Sequence, residues 1–274
     1  MTSASRRRFA DVVRAEPVDL GLACLLVGAE VEPTLDVDEP LADLDALAAA
    51  ARAAVPRGAS PAAAAEGLRT VLGAFAGSGD DYDDVRSSLL HEVLRRRRGL
   101  PLLLSVVWVE VAARLDVPAW PVGLPGHVVV GIGDPDDAHV HVDPFGGGRL
   151  LGGSDLEALV QLSTGAGVQP AQLRPVPPND LLLRLLTNIR VLTARQPPSL
   201  DAARTRLWAV ELSLLLPRHP LELRRERGEL LVRLGDHVGG ATELEDYALA
   251  AEDGDAEAAE TARREARQAR ARLN

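Results

Sequence analysis

The sequence predicts an α+β fold with three regions: a helical N-terminal segment, a core of one buried helix against a small antiparallel sheet, and an all-α C-terminal domain. Three observations support this prediction. The stretch PLLLSVVWVEVAARL (101–115) is apolar on nearly all sides, as a buried central helix must be. Short valine-rich runs bounded by proline and glycine follow it between residues 117 and 144. After residue 180 the pattern is helical.

The N-terminal segment is predicted to be a series of short helices. Residues 9–30 have helical periodicity that a proline interrupts, and Asp19 is placed to cap the helix that follows. Residues 41–55 are rich in alanine, the strongest helix former. A further helix is expected to begin with Ser60 as its N-cap and Pro61 in its first turn.

An acidic loop and an arginine-rich helix lead into the core. The loop spans 77–84 and the helix spans 87–99, with four arginines at 95–98 in its last turn and Gly99 just after its end. We interpret the arginine run as a solvated helix end whose internal partner is the acidic loop. The alternative is a site for an anion or an acidic partner, since guanidinium groups bind carboxylates well.

The core itself combines the buried helix with three strands. Pro101 suits the first turn of that helix. The strands are expected at 117–124, 127–133 and 138–144. Three glycines after the last strand predict a turn, and Ser154 or Asp155 is expected to cap a short helix beyond it.

The domain boundaries follow from local composition. A stretch rich in proline and glutamine separates the core from the C-terminal helices. We therefore predict a first domain at 1–166 (a helical segment at 1–86 and the core at 87–166), a linker at 167–179 and a tetratricopeptide-like helical domain at 180–274. Its helix pairs start about 40 residues apart, near the tetratricopeptide period of roughly 34 residues but not equal to it. Such pairs usually bind protein or pack on their own N-terminal domain.

Composition excludes several classes of function. With 40 acidic and 30 basic residues the net charge is −10, which argues against nucleic-acid or anionic-membrane binding. The sequence contains no lysine, so lysine Schiff-base and phosphate-loop chemistry are excluded. Cys24 is the only cysteine, which excludes an internal disulfide and a cysteine-rich metal site. Without a signal-peptide pattern or an apolar run of about 18 residues, a cytoplasmic location is expected.

Several motifs of this chain resemble the transglutaminase-like superfamily. The most specific are RRRGLP (96–101), PGH (125–127) and DPF (143–145), and the likeness extends over nearly the whole chain. More closely, the sequence resembles a bacterial family that joins a transglutaminase-like core to C-terminal tetratricopeptide-type helices. The resemblance implies a papain-like or transglutaminase-like core with a Cys–His–Asp triad, the cysteine standing at the N-terminus of the central helix.

Two of the three triad positions are occupied as the superfamily implies. His127 matches the histidine and Asp143 matches the aspartate, but the cysteine position falls on Pro101. The sequence therefore favours a non-catalytic protein that binds a protein or peptide partner and needs no cofactor. The alternative is a hydrolase or acyl-transferase acting on an amide or ester, with Ser105 or an activated water as nucleophile, His127 as base and Asp143 as orienter.

Each candidate residue also has a structural interpretation. His127 and Asp143 would form a buried hydrogen bond that ties two strands together. Ser105 lies in an apolar helix, where a hydroxyl commonly donates to a carbonyl of the preceding turn. His139, His141 and Asp143 alternate on one strand and could form a metal site only if the strand bends, because its ends are about 13 Å apart. Solvent-facing histidines are the alternative there.

Overall fold

The fold is known from a computed structural model, which describes residues 4–272. Residues 1–3 and 273–274, where the predicted first and last domains begin and end, lie outside the described residues. The chain folds as two compact units. One unit is Pro17–Leu181, and the other combines the chain before residue 17 with the chain from Leu182 onward.

Three helices open the first unit, at Leu20–Gly28 (α2), Asp38–Ala51 (α3) and Pro61–Leu72 (α4). Asp19 caps α2 by accepting a hydrogen bond from the Leu22 amide at 2.9 Å, as the sequence predicts. Ser60 caps α4 and Pro61 occupies its first turn, again as predicted. The helix before them, Ala4–Val12 (α1), belongs with the C-terminal helices in the other unit.

The arginine-rich helix (α5, Leu90–Arg96) ends earlier than the sequence predicts. Arg97, at φ 53°, takes the left-handed conformation that was expected for a glycine at the helix end. Gly99 has a different role, because a Cβ there would lie 2.5 Å from the Val93 side chain. It lets the chain pass close to α5. The predicted loop before α5 contains two short 3₁₀ turns, at Gly79–Asp83 and Val85–Ser88.

The central helix α6 (Pro101–Ala113) packs against a four-stranded antiparallel sheet. The strands are adjacent in chain order: β1 (Ala119–Leu124), β2 (His127–Gly133), β3 (His139–Asp143) and β4 (Arg149–Leu151). Trp108 and nine neighbours in α6 are buried, so the predicted central helix is confirmed. Strand β4 was not predicted, since three residues are too few to show a period.

One face of the sheet is covered by α7 (Gly153–Thr164) and by the segment after it. The N-cap of this helix is Gly152 and not the expected Ser154 or Asp155. Asp155 still satisfies the helix start, because its carboxylate accepts the Gly152 amide at 2.8 Å. Within the predicted linker, the amide of Val176 donates to the carbonyl of Pro121 in β1.

The second unit is entirely helical among its described residues. Besides α1 it contains α8 (Pro178–Arg195) from Leu182 onward, α9 (Leu200–Ser213), α10 (Glu222–Arg233), α11 (His237–Ala251) and α12 (Ala256–Ala271). Ion pairs join its helices: Glu226 of α10 binds Arg190 of α8 and Arg206 of α9. The prediction that the C-terminal region is helical is confirmed. Its tetratricopeptide character and the predicted domain boundaries stay predictions. None of the described helices has the length and apolarity needed to cross a bilayer.

Candidate functional site

His127 and Asp143 meet across the sheet. His127 opens β2 and Asp143 ends β3, and the imidazole Nε2 hydrogen bonds the Asp143 Oδ1 at 2.9 Å. The side chains are only 12% and 11% exposed, so the bond is largely shielded from water. Asp143 Oδ1 also accepts the Phe145 amide at 3.1 Å. The carboxylate is thus held by two donors, and it orients the imidazole ring.

Phe145 joins this pair to the rest of the core. Its ring stands edge-on to the His127 ring at 5.9 Å and lies 6.0 Å from Tyr82. It packs on Gly77, where a Cβ would lie 2.0 Å from the phenyl ring, and the Gly77 amide donates to the Phe145 carbonyl at 3.1 Å. Any side chain at residue 77 would therefore displace the ring that contacts His127.

Gly77 also connects the pair to the N-terminus of α6. A Cβ at Gly77 would be 2.7 Å from the Gly99 carbonyl oxygen, two residues before Pro101. The Leu100 amide donates to the Ser87 carbonyl at 3.0 Å, and Pro101 is the first residue of the helix. A chain of contacts through Gly77 and Phe145 therefore links the segment just before α6 to His127. Pro101 itself carries a pyrrolidine ring without a nucleophilic atom.

Buried Asp81 holds the segment that leads to α6. Its carboxylate accepts hydrogen bonds from the Ser78 amide at 2.7 Å, the Ser87 hydroxyl at 3.0 Å and the Arg98 guanidinium at 3.3 Å. Burial raises the pKa of Asp81, but these donors outweigh it and hold the pKa below its usual range. Arg96 contacts Asp81 and Asp84 as well. The predicted pairing of the arginine run with the acidic loop is confirmed.

The two other candidate nucleophiles lie inside helices. Ser105 is fully buried, and its hydroxyl donates to the Leu102 carbonyl of its own helix at 2.6 Å. Cys24 is buried in α2, and burial, with Glu110 and Asp19 nearby, raises the pKa of its thiol far above the usual range. A neutral, enclosed thiol is a poor nucleophile. The structure therefore gives neither side chain the surroundings of an activated nucleophile.

The three residues of the alternative metal site are not brought together around one ion. Among residues 4–272, no three His, Cys, Asp or Glu side chains are arranged to hold a metal. Asp143 is committed to His127, as described above. His139 is exposed, as the structural interpretation expects, whereas His141 is buried, which that interpretation does not expect.

Sequence reasoning missed the aromatic and small residues around the pair. Phe145 was within the DPF motif, but its contact with His127 could not be read from the motif. Tyr82 and Gly77 lie in what was predicted as an acidic loop, and no local pattern links them to β3.

We expect Asp143→Ala to destabilise the protein by about 1–3 kcal/mol, because two partly buried donors, His127 Nε2 and the Phe145 amide, would lose their acceptor. Urea unfolding monitored by circular dichroism measures this free energy. Asp143→Asn keeps an oxygen acceptor and serves as the control, with a smaller expected loss. A loss equal for both variants would contradict the assigned hydrogen bonds.

The sequence of this chain is similar to those of several known proteins. A UPF0162 protein of Xylella fastidiosa is 35% identical over 178 residues, which are 63% of this chain and 62% of that protein. A UPF0162 protein of Pseudomonas aeruginosa is 33% identical over 210 residues, covering 76% and 77% of the two chains. Human F-box only protein 21 is 30% identical over 129 residues, covering 44% of this chain and 20% of that protein.

The match thus spans about three fifths of the length of the Xylella relative. No solved structure matches the chain. The sequence model of the transglutaminase-like superfamily matches residues 38–187, which contain α6, the sheet and the His127–Asp143 pair. This chain belongs to the transglutaminase-like superfamily.

Proposed function

We propose that the chain is a non-catalytic transglutaminase-like protein that binds a protein or peptide partner. One observation carries the proposal: Pro101 is the first residue of α6, where the superfamily resemblance implies the nucleophilic cysteine. The His127–Asp143 hydrogen bond is intact. Acyl transfer through a covalent intermediate needs a nucleophile next to its base, and proline offers none.

The remaining nucleophiles do not restore the triad. The Ser105 hydroxyl is buried and donates to a carbonyl of its own helix, so it has no path to an external acyl group in this conformation. Cys24 lies in another helix with a strongly raised pKa. Both facts favour binding without turnover.

The proposed interaction surfaces are the region around His127 and, separately, the C-terminal helices. Tyr82 is 45% exposed and its ring lies beside Phe145, which contacts His127. Exposed aromatic rings beside a polar pair are typical of peptide-binding sites. The C-terminal helices are proposed to be tetratricopeptide-type pairs, which usually bind protein. A cytoplasmic location belongs to the same proposal.

Labelling with activity probes tests the proposal directly. The native protein is treated with a fluorescent iodoacetamide and, separately, with a fluorophosphonate, and labelling is counted by mass spectrometry. We expect no stoichiometric labelling by either probe, and Cys24 should react only after denaturation, because it is enclosed. Stoichiometric labelling of the folded protein that is lost in His127→Ala would refute the non-catalytic proposal.

A restored thiol provides the positive control. In a Cys24→Ser background, Pro101→Cys places a cysteine in the first turn of α6, where the helix dipole and a neighbouring imidazole lower a thiol pKa. We expect iodoacetamide to label this variant at least roughly tenfold faster than the same variant carrying His127→Ala. Equal rates would show that His127 is not within reach of the helix start.

The second candidate is a hydrolase acting on an amide or ester through an activated water. The observation that favours it is the retained His127–Asp143 hydrogen bond, which fixes the ring as a base would require. Turnover of a p-nitrophenyl ester that is abolished by His127→Ala and unaffected by Ser105→Ala would support this candidate. Absence of turnover above the His127→Ala rate would exclude it for that substrate.

A further inference from the structure

Two histidines of β3 form a pair that the proposed function does not use. His139 pairs with Gly133 and His141 with Gly131 in β2, so the two histidines, two residues apart, share one face of the strand. Their ring centroids are 5.1 Å apart and the rings are nearly perpendicular, at 89°. The indole of Trp120 stands edge-on to the His139 ring at 5.8 Å.

The turn before β3 fixes the tautomer of His139. Its Nδ1 lies 3.1 Å from the Asp134 carbonyl oxygen and 3.0 Å from the Asp137 carbonyl oxygen. Carbonyl oxygens only accept hydrogen bonds, so Nδ1 carries the proton and the neutral ring presents the Nε2 lone pair. Donation from the second ring nitrogen to a backbone carbonyl is the arrangement that orients metal-binding histidines. The residue itself is exposed.

His141 supplies a second imidazole in a different environment. The residue is only 6% exposed, and its Nε2 has no hydrogen-bond partner among the described residues. A buried polar atom without a partner is costly, by about 1–3 kcal/mol, and therefore points to a ligand.

The spacing of the two rings fits coordination of a single ion. Two imidazoles bound tetrahedrally to one ion, with metal–nitrogen distances of about 2.0–2.1 Å, have ring centroids roughly 5 Å apart. The observed separation is 5.1 Å. Imidazole nitrogens prefer Cu²⁺, Ni²⁺ and Zn²⁺ and not the oxygen-seeking Mg²⁺ and Ca²⁺.

We propose that His139 and His141 form a two-histidine site for a divalent transition-metal ion, with Cu²⁺ bound more tightly than Zn²⁺. We expect the tighter binding of Cu²⁺ because nitrogen ligands generally bind Cu²⁺ more strongly than Zn²⁺. Since no third protein ligand converges among residues 4–272, water or a partner would complete the coordination. The site differs from the three-residue set weighed from the sequence, because Asp143 stays with His127. The ion would enter from the side of the exposed His139 ring.

Trp120 offers a built-in reporter for this site. Its ring lies against Gly131, where a Cβ would be 2.4 Å from the indole, and it contacts the ring of His139. Bound Cu²⁺ quenches the fluorescence of a tryptophan at this distance. Titration of the full chain with CuCl₂, with MgCl₂ as the reference, is therefore expected to give a saturable loss of the Trp120 contribution, absent from Trp120→Phe.

Matched histidine variants decide the assignment. His139→Gln removes one ligand at an exposed position, and we expect it to weaken Cu²⁺ and Zn²⁺ binding in calorimetry at least about tenfold. His219→Gln is the control, because His219 is also exposed and its Nδ1 also contacts a backbone carbonyl, that of Leu216. Binding with one ion per chain that is lost in His139→Gln and kept in His219→Gln supports the site.

Three results would overturn the proposal. They are unchanged affinity in His139→Gln, an equal loss in His219→Gln, and no saturable binding of Cu²⁺ by the native chain. Because the buried His141→Gln substitution risks unfolding, it is used only where circular dichroism shows a native spectrum, and it should then abolish the same binding. None of these readouts depends on the activity or inactivity of the His127–Asp143 pair.

Discussion

Gly148→Ala is expected to destabilise the protein by about 3 kcal/mol, from a left-handed backbone strain of about 1–2 kcal/mol and overpacking of about 1–3 kcal/mol. Gly148 has φ +77°, and a Cβ there would lie 2.3 Å from the Trp108 ring. Trp108 is fully buried in α6 and cannot move aside. The Gly148 amide also donates to the Asp143 carbonyl at 2.8 Å, so a displaced turn would disturb the candidate site.

Gly165→Ala separates the two contributions. Gly165, at the end of α7, has φ +70° but nothing within 4 Å of its Cβ position. This variant should therefore lose only the backbone contribution, about 1 kcal/mol. Urea unfolding of both variants measures the difference. If the two substitutions destabilise equally, close packing of Gly148 on Trp108 is not the cause.

Asp81→Ala is expected to destabilise the protein by about 2–4 kcal/mol, because two donors lose their acceptor at about 1–3 kcal/mol each. The carboxylate is 1% exposed and accepts hydrogen bonds from Ser78, Ser87 and Arg98. Its loss would leave the Ser87 hydroxyl and the Ser78 amide without their acceptor, whereas the half-exposed Arg98 keeps its bond to the Ser78 hydroxyl. The segment that positions the start of α6 would lose its anchor, so the Pro101→Cys variant should also lose its enhanced labelling when combined with Asp81→Ala.

Acid titration separates the stabilisation that comes from the charge of Asp81 from the stabilisation that comes from its packing. Its pKa is lowered in the folded protein, so the unfolded chain binds more protons in the acid range and stability rises with pH there. The ionised Asp81 carboxylate contributes its full stabilisation above the usual aspartate pKa of about 3.9. This stabilisation is lost as the pH falls through the lower pKa of the folded state. Native protein should thus lose more stability than Asp81→Asn between about pH 5 and pH 2. Parallel curves would contradict the assigned network.

Elements with strong local signals were predictable from single residues. Asp19 and Ser60 begin their helices because a side-chain acceptor before an apolar run satisfies the free amides of the first turn. Pro101 opens α6 because its fixed φ and missing amide suit that position alone within a helix. The short run of valines bounded by glycines located β2 with both of its ends correct.

Predictions failed where a distant contact decided the local conformation. Arg97 adopts the left-handed conformation expected of Gly99, with its guanidinium 5.9 Å from the Phe75 ring, which is far away in sequence. Gly99 remains glycine because Val93 passes 2.5 Å from where its Cβ would be. Strand β4 exists because β3 offers it a partner, and not because three residues prefer to be extended.

For the candidate site, the sequence by itself determined which chemical groups are present. It places His127 and Asp143 on neighbouring strands, puts proline at the start of the central helix, and leaves one cysteine in the chain. Only the tertiary structure decided that His127 bonds Asp143 and contacts Phe145, that Ser105 donates to its own helix, and that the rings of His139 and His141 contact each other. The physical reason is that side-chain chemistry is local, whereas distance, burial and hydrogen-bond partners are set by residues far away along the chain.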